Sequence, residues 1–187
     1  LLHLGVGVRY SDMKEGFRIA TEPEFNQAPD FISTDRYFPD RTDTYQAEVS
    51  LRSGPFWLHS EYIEGQVEAP ELGDPTARGY HVTASWILTG EVRRYNERVG
   101  IFGKMPISRT VDQNGWGAWE ISARYSELDA TDGTLTGGDM DIWSAGINWW
   151  LTPYFNVNMN YRYITLDKDG LDGTSQGFNT RVVLVLE

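Results

Sequence analysis

Six arginines carry the plainest chemistry in this sequence. Arg9, Arg18, Arg52, Arg124, Arg162 and Arg181 each occupy a polar position in a run that alternates polar and apolar residues. A guanidinium is permanently charged, and its planar fork of donors matches phosphate and carboxylate oxygens. Six of them on one wetted face would line a pore and attract small anions. The same side chains could instead pair with carboxylates at neighbouring polar positions, such as Glu48, Glu61 and Glu120. For each single arginine both readings stay open.

Reaction chemistry is not offered. The sequence holds no nucleophile elbow, no P-loop and no H-E-x-x-H pair. His3, His59 and His81 fall in different runs and would meet at a metal only if strand register aligned them. A wall histidine bonded to a neighbour is the simpler expectation. Asp167-Lys168-Asp169-Gly170 opens like a calcium loop, but the twelfth position is Phe178 where such a loop needs Glu. With no cysteine there is no disulfide framework, thiolate metal site or cysteine nucleophile. The sequence predicts no catalytic residue, no metal site and no cofactor.

The elements that must position the arginines are strands. In residues 1–10, Leu2, Leu4, Val6, Val8 and Tyr10 share one face, and His3, Gly5, Gly7 and Arg9 share the other. The same period of two recurs over residues 16–24, 43–53, 56–66, 79–90, 117–127, 139–151, 154–166 and 177–186. This predicts an all-β chain of about nine strands, each near the ten or so residues with which a tilted strand crosses a bilayer.

Alternation alone does not separate a membrane barrel from a soluble β-sandwich or ligand-binding barrel, since both alternate. Composition leans to the membrane. Aromatic residues make up 13%, with seven Trp and ten Tyr, yet the mean hydropathy is −0.44. The rings gather near the ends of runs, as at Tyr10, Trp86, Tyr125, Trp149 and Tyr163. A ring with a polar tip suits the headgroup level, so these positions read as two aromatic girdles around a transmembrane antiparallel β-barrel.

Charge follows the same plan. The net charge is −11, which excludes a nucleic-acid partner on electrostatic grounds. Segments 21–43, 64–78, 126–141 and 165–176 hold 18 of the 27 acidic residues and four of the 16 basic ones, so the acidity belongs to the connections. Such loops could simply be solvated, or could bridge through divalent cations to lipopolysaccharide phosphates. Ser53-Gly54-Pro55 and Thr152-Pro153 read as tight periplasmic turns. Residues 25–42, 67–78, 128–138 and 167–176 read as long outer loops. Residues 91–116 break the rule, being long on the turn side. They predict either an ordered periplasmic segment or a hidden strand pair.

Four stretches go beyond periodicity: Gly54-Pro55-Phe56-Trp57-Leu58-His59-Ser60-Glu61-Tyr62; Gly79-Tyr80-His81-Val82 with Leu88-Thr89-Gly90-Glu91; Gly117-Ala118-Trp119-Glu120-Ile121-Ser122-Ala123-Arg124-Tyr125-Ser126; and Gly146-Ile147-Asn148-Trp149-Trp150-Leu151-Thr152-Pro153 with Asn160-Tyr161. In this order and spacing they resemble the C-terminal half of the phosphate-selective porin O and P family, from about residue 43 onward and more loosely over Leu2 to Glu24. The resemblance implies a trimeric barrel of about sixteen strands in the bacterial outer membrane, with residues 1–187 one portion of it. It implies passive diffusion of phosphate, pyrophosphate or other small anions and no enzymatic activity. The inward-folded loop of the family's N-terminal half has no counterpart here, so phosphate selectivity does not transfer. A general porin without selectivity and a soluble or structural β-barrel that binds a ligand remain the other functional readings.

Counting strands back from a periplasmic C-terminus makes 1–10 a descending strand that begins at the outer surface. Bacterial barrels have an even strand number, so this pattern predicts an odd number of further N-terminal strands. The outward aromatic usual at a barrel's last position is also expected one residue beyond Glu187.

Overall fold

The computed structural model describes residues 1–25 and 28–186. Eight long strands form one antiparallel sheet, each hydrogen-bonded to the next in sequence. They are β1 (Leu2–Asp12), β2 (Arg41–Ser53), β3 (Phe56–Glu68), β4 (Thr76–Ile87), β5 (Ala118–Asp132), β6 (Leu135–Thr152), β7 (Phe155–Lys168) and β8 (Leu171–Leu184). Among the described residues there is no α-helix, only single 3₁₀ turns at Pro70–Leu72 and Val111–Gln113. The chain is all-β, as the alternation predicts. The sheet is open: β1 and β8 each pair on one side only.

The expected strand at 16–24 is not a member of the sheet. Its alternation is short, Gly16 and Pro23 bound it, and proline cannot donate to a ladder. Only Ala20–Thr21 forms a short pair, with Ile32–Ser33, while Phe17 bridges Tyr37. Among the described residues the main sheet therefore has eight strands where nine are expected. β1 pairs antiparallel with β2 directly, so the first strand runs opposite to the expected direction. With an even count, the parity case for an odd complement of strands falls away.

Two of the four expected outer loops are largely strand and a third is partly so. β5 and β6 continue to a turn at Gly133-Thr134, and β7 and β8 continue to one at Asp169-Gly170. The connection between β3 and β4 is only residues 69–75. The β7–β8 extension escapes an alternation test because nearly all of its residues are polar, and the β5–β6 extension escapes it because a bulge between Thr136 and Asp139 breaks the period. At Asp169-Gly170 both residues take positive φ, 54° and 73°, as a two-residue type I′ hairpin requires. At the opposite end Gly54 takes φ 56° ahead of Pro55, where type II′ geometry calls for glycine.

Two long segments leave the sheet and return onto the same face. Residues 13–40 connect β1 and β2. Their Ile32 is fully buried against Ala130, Met140, Ile142 and Ile164. Each such side chain removed from water stabilises by about 1.5 to 3 kcal/mol. A bulge between Thr136 and Asp139 shifts the β6 register, which lets Leu135 and Met140 both face this side. Residues 88–117 connect β4 and β5 at the other end. Their Met105 packs on Ile87 and Ala118, with Ile107 and Trp150 alongside. Within them Tyr95–Asn96 pairs with Ile101–Phe102. That small hairpin lies outside the main sheet and accounts for the long turn-side connection.

The two sheet faces are opposite in character. The covered face is packed at its ends by the two inserted segments and polar between them. The other face is bare and apolar, with Leu4 70%, Val6 90% and Val182 61% exposed. A folded chain in water does not leave that much contiguous apolar surface.

Candidate functional site

The bare face carries two aromatic rows, set by register. Trp86, Trp119 and Trp149 form one row on neighbouring strands β4, β5 and β6, with Trp119 and Trp149 stacked 4.8 Å apart and Trp86 stacked on Phe56 at 5.3 Å. Six residues along each strand, Tyr80, Tyr125 and Trp143 form the second, with centroids 5.9 and 4.7 Å apart. At strand rise six residues span about 20 Å. The band between holds Val82, Ala84, Ile121, Ala123, Ala145 and Ile147. Apolar in the middle and aromatic at both margins is the pattern that a lipid-facing sheet surface carries.

On the covered face, Arg124 of β5 and Arg162 of β7 converge on Glu24 of segment 13–40. Arg124 Nε and Ser126 Oγ each donate to Glu24 Oε1 at 3.0 Å. Arg162 Nε stands 3.8 Å from Oε2. Arg162 also donates to Asn179 Oδ1 at 2.6 Å and lies over the Phe25 ring, 4.8 Å from its centroid. Glu24 takes φ 57°, a left-handed conformation that costs a non-glycine residue roughly 1 to 2 kcal/mol. The two hydrogen bonds from β5 and the Arg162 charge on β7 hold it there. Two guanidinium charges thus face one carboxylate.

Nearer the Gly54 end, a second network crosses the sheet. Arg93, from segment 88–117, donates to Glu120 Oε1 at 2.5 Å, and Asn148 donates to Glu120 Oε2 at 2.9 Å. Asn158 in turn donates to Asn148 Oδ1 at 2.7 Å. Glu120 is 3% exposed, and a buried charge needs such partners. Arg93 also stands over the Trp57 ring, 5.2 Å from its centroid. Glu91, in the same segment, is buried. Burial alone would raise its carboxyl, but hydrogen bonds from Thr89 and the Ser108 amide hold it below the usual carboxylate range.

Of the six arginines singled out above, Arg124 and Arg162 come together. Arg52 donates to the Arg93 carbonyl and so braces segment 88–117. Arg9 and Arg181 stand exposed on the sheet's two edge strands. Arg18 is not on a strand at all: it lies in segment 13–40, paired with Asp30 at 3.2 Å. The neighbouring carboxylates have other partners. Glu48 meets His3 at 3.0 Å, Glu61 takes the Gln46 amide and Glu120 takes Arg93. Two functional candidates escape sequence reasoning. Nothing in a period of two marks Glu24, and only the length of 91–116 hints at Arg93.

The histidines divide. His3 lies 2.6 Å from the Tyr95 hydroxyl as well as bonding Glu48. His59 and His81 meet across β3 and β4 with ring centroids 5.2 Å apart. With Glu61 they form the set of described residues that could hold a metal ion.

A family model described as phosphate-selective porin O and P matches residues 2–183. An uncharacterized protein of Caulobacter vibrioides is 26% identical over 165 residues, which is 86% of this chain and 33% of that protein. Porin O of Pseudomonas aeruginosa is 26% identical over 153 residues, 74% of this chain and 34% of that one. The chain spans about a third of the length of these curated relatives.

Proposed function

The chain belongs to the phosphate-selective porin O and P family, a family of channels and not of enzymes, and from that premise we propose that it forms part of a passive outer-membrane pore for small anions. One observation carries this reading. An exposed apolar face with two aromatic rows is backed by a polar face on which Arg124 and Arg162 share one carboxylate. A soluble barrel would turn these faces the other way.

The open edges of β1 and β8 fit a larger closed barrel. An unpaired strand edge in lipid leaves backbone groups unsatisfied, at several kcal/mol each. We place the eight strands in a barrel of about sixteen, assembled as a homotrimer in the bacterial outer membrane. The turns at Gly54-Pro55 and Thr152-Pro153 face the periplasm, and the acidic hairpin ends face lipopolysaccharide. Arg9, Arg52, Arg124, Arg162 and Arg181 line the pore. They outnumber the strand carboxylates Glu48, Glu61 and Glu120 on that face, which supports anions such as phosphate or pyrophosphate as cargo. Glu24, set between two of the arginines, supports a selectivity that is weak.

Planar-bilayer recording in a salt gradient tests this. The expected reversal potential favours anions and falls toward zero when Arg124 and Arg162 are both replaced by alanine. A reversal potential at zero in the parent protein makes it a general porin. Absence of conductance from correctly folded protein refutes the pore.

A further inference from the structure

We propose that His59, Glu61 and His81 form a binding site for a borderline divalent cation of the zinc type on the covered face. Sheet geometry brings the three together. His59 and Glu61 are two apart on β3 and so share a face, and register sets Glu61 directly opposite His81 on β4. Each residue offers a donor atom, and these atoms lie within 4.8 Å of one another. Ligands of a tetrahedral zinc sit about 3.3 Å apart, given bonds near 2.0 Å. Rotation of the His81 and Glu61 side chains toward His59 is required to close that gap.

The donor set fits the ion class. Two neutral imidazoles and one carboxylate suit Zn²⁺, Cu²⁺ and Ni²⁺ and match the two-histidine, one-glutamate set of open zinc sites. An all-oxygen site would suit Ca²⁺ or Mg²⁺ instead.

Four further features support a ligand there. Nδ1 of His59 is buried and has no hydrogen-bond partner among the described residues, and an orphaned buried ring nitrogen is uncommon. The Gln46 amide holds Glu61, as outer-shell partners orient metal ligands. On the other side Trp57 stacks on His59 at 5.4 Å, with the rings 8° from parallel, which fixes the imidazole plane. Glu61 and His81 also border a cavity of about 250 Å³ with Glu24, Arg124 and Ser126. That space admits water to complete the coordination. Arg124 would repel a cation, but its charge is met by Glu24 at 3.0 Å.

The test uses the full-length polypeptide, folded in detergent, with Zn²⁺ alone measured by competition with a chromophoric chelator and Co²⁺ as a spectroscopic substitute. Binding of one ion per chain is expected, with Co²⁺ absorption of a low-coordinate site. His59→Ala, His81→Ala and Glu61→Gln should each weaken Zn²⁺ by about tenfold or more. His3→Ala, whose imidazole lies in a different network, should not. Heat-modifiable electrophoretic mobility confirms folding of each variant, and His81→Gln serves if an alanine variant fails that check. No stoichiometric binding by folded parent protein overturns the proposal, as does binding that survives loss of either histidine or is lost with His3. Because the metal alone is read, the outcome is independent of whether the pore prefers anions.

Discussion

Arg124 Nε lies 3.0 Å from Glu24 Oε1, joining the middle of β5 to a segment one hundred residues earlier in the chain. This bond decides how the arginine acts. A guanidinium on an open wall is a free anion site, whereas one held by a carboxylate is partly neutralised. Arg162 leans on the same glutamate from two strands away. Glu24 therefore sets the residual positive charge of the site and ties segment 13–40, anchored by Ile32, to β5.

Glu24→Gln keeps an acceptor for Arg124 and removes the negative charge. The anion-over-cation permeability ratio should rise by roughly threefold, about 0.6 kcal/mol for a screened charge. Arg124→Ala with Arg162→Ala should lower the ratio by a similar factor. Reversal potentials in a salt gradient measure both. If the glutamine variant lowered anion preference, the carboxylate could not be the neutralising group.

Arginine at Ala123, in the band between the aromatic rows, should cost about 2 to 4 kcal/mol of folding stability in lipid. Arginine at Gly7 should be tolerated, because its charge would lie on the polar covered face and a Cβ there meets only the Gln46 side chain, 3.5 Å away. Urea titration of vesicle-reconstituted protein compares the two. Equal costs would reverse the assignment of the faces.

Residues 1–187 contain no cysteine, so in a polypeptide otherwise free of cysteine single introduced ones report topology. Thr134→Cys, at the β5–β6 hairpin tip, should react with a membrane-impermeant maleimide on intact cells. Tyr154→Cys, at the β6–β7 turn, should react only after the outer membrane is opened. The opposite pattern would invert the barrel in the membrane.

The Glu91 carboxyl is held below its ordinary value of about 4.3. A depressed carboxyl contributes stability that is complete above the unfolded value and is lost as pH falls through the lower, folded one. Segment 88–117 should therefore stay protease-resistant from pH 7 to about 5 and loosen below about 4. Glu91→Gln should be weaker at neutral pH and should flatten this part of the acid response. Identical acid profiles in parent and variant would assign the loosening to other carboxylates.

The chain alone determines its all-β character, the two sheet faces and most strand positions. Leu2, Leu4, Val6 and Val8 against His3, Gly5 and Gly7 suffice for β1, because residues of a strand alternate sides whatever surrounds them. The aromatic margins are legible for the same reason. Tertiary structure decided the rest. Residues 13–40 are read as strand plus loop because Phe17 and Ile19 alternate briefly, yet they fold over the sheet because Ile32 finds Ile142 and Ile164 there. Glu24 becomes the partner of Arg124 and Arg162 only through that fold. His59 and His81 meet only because the Gly54-Pro55 hairpin and the β3–β4 register put Glu61 opposite His81. Local pattern encodes which side of a strand a residue faces. Which distant residue it meets depends on pairing register and on segments packed across the sheet, neither of which leaves a periodic trace in sequence.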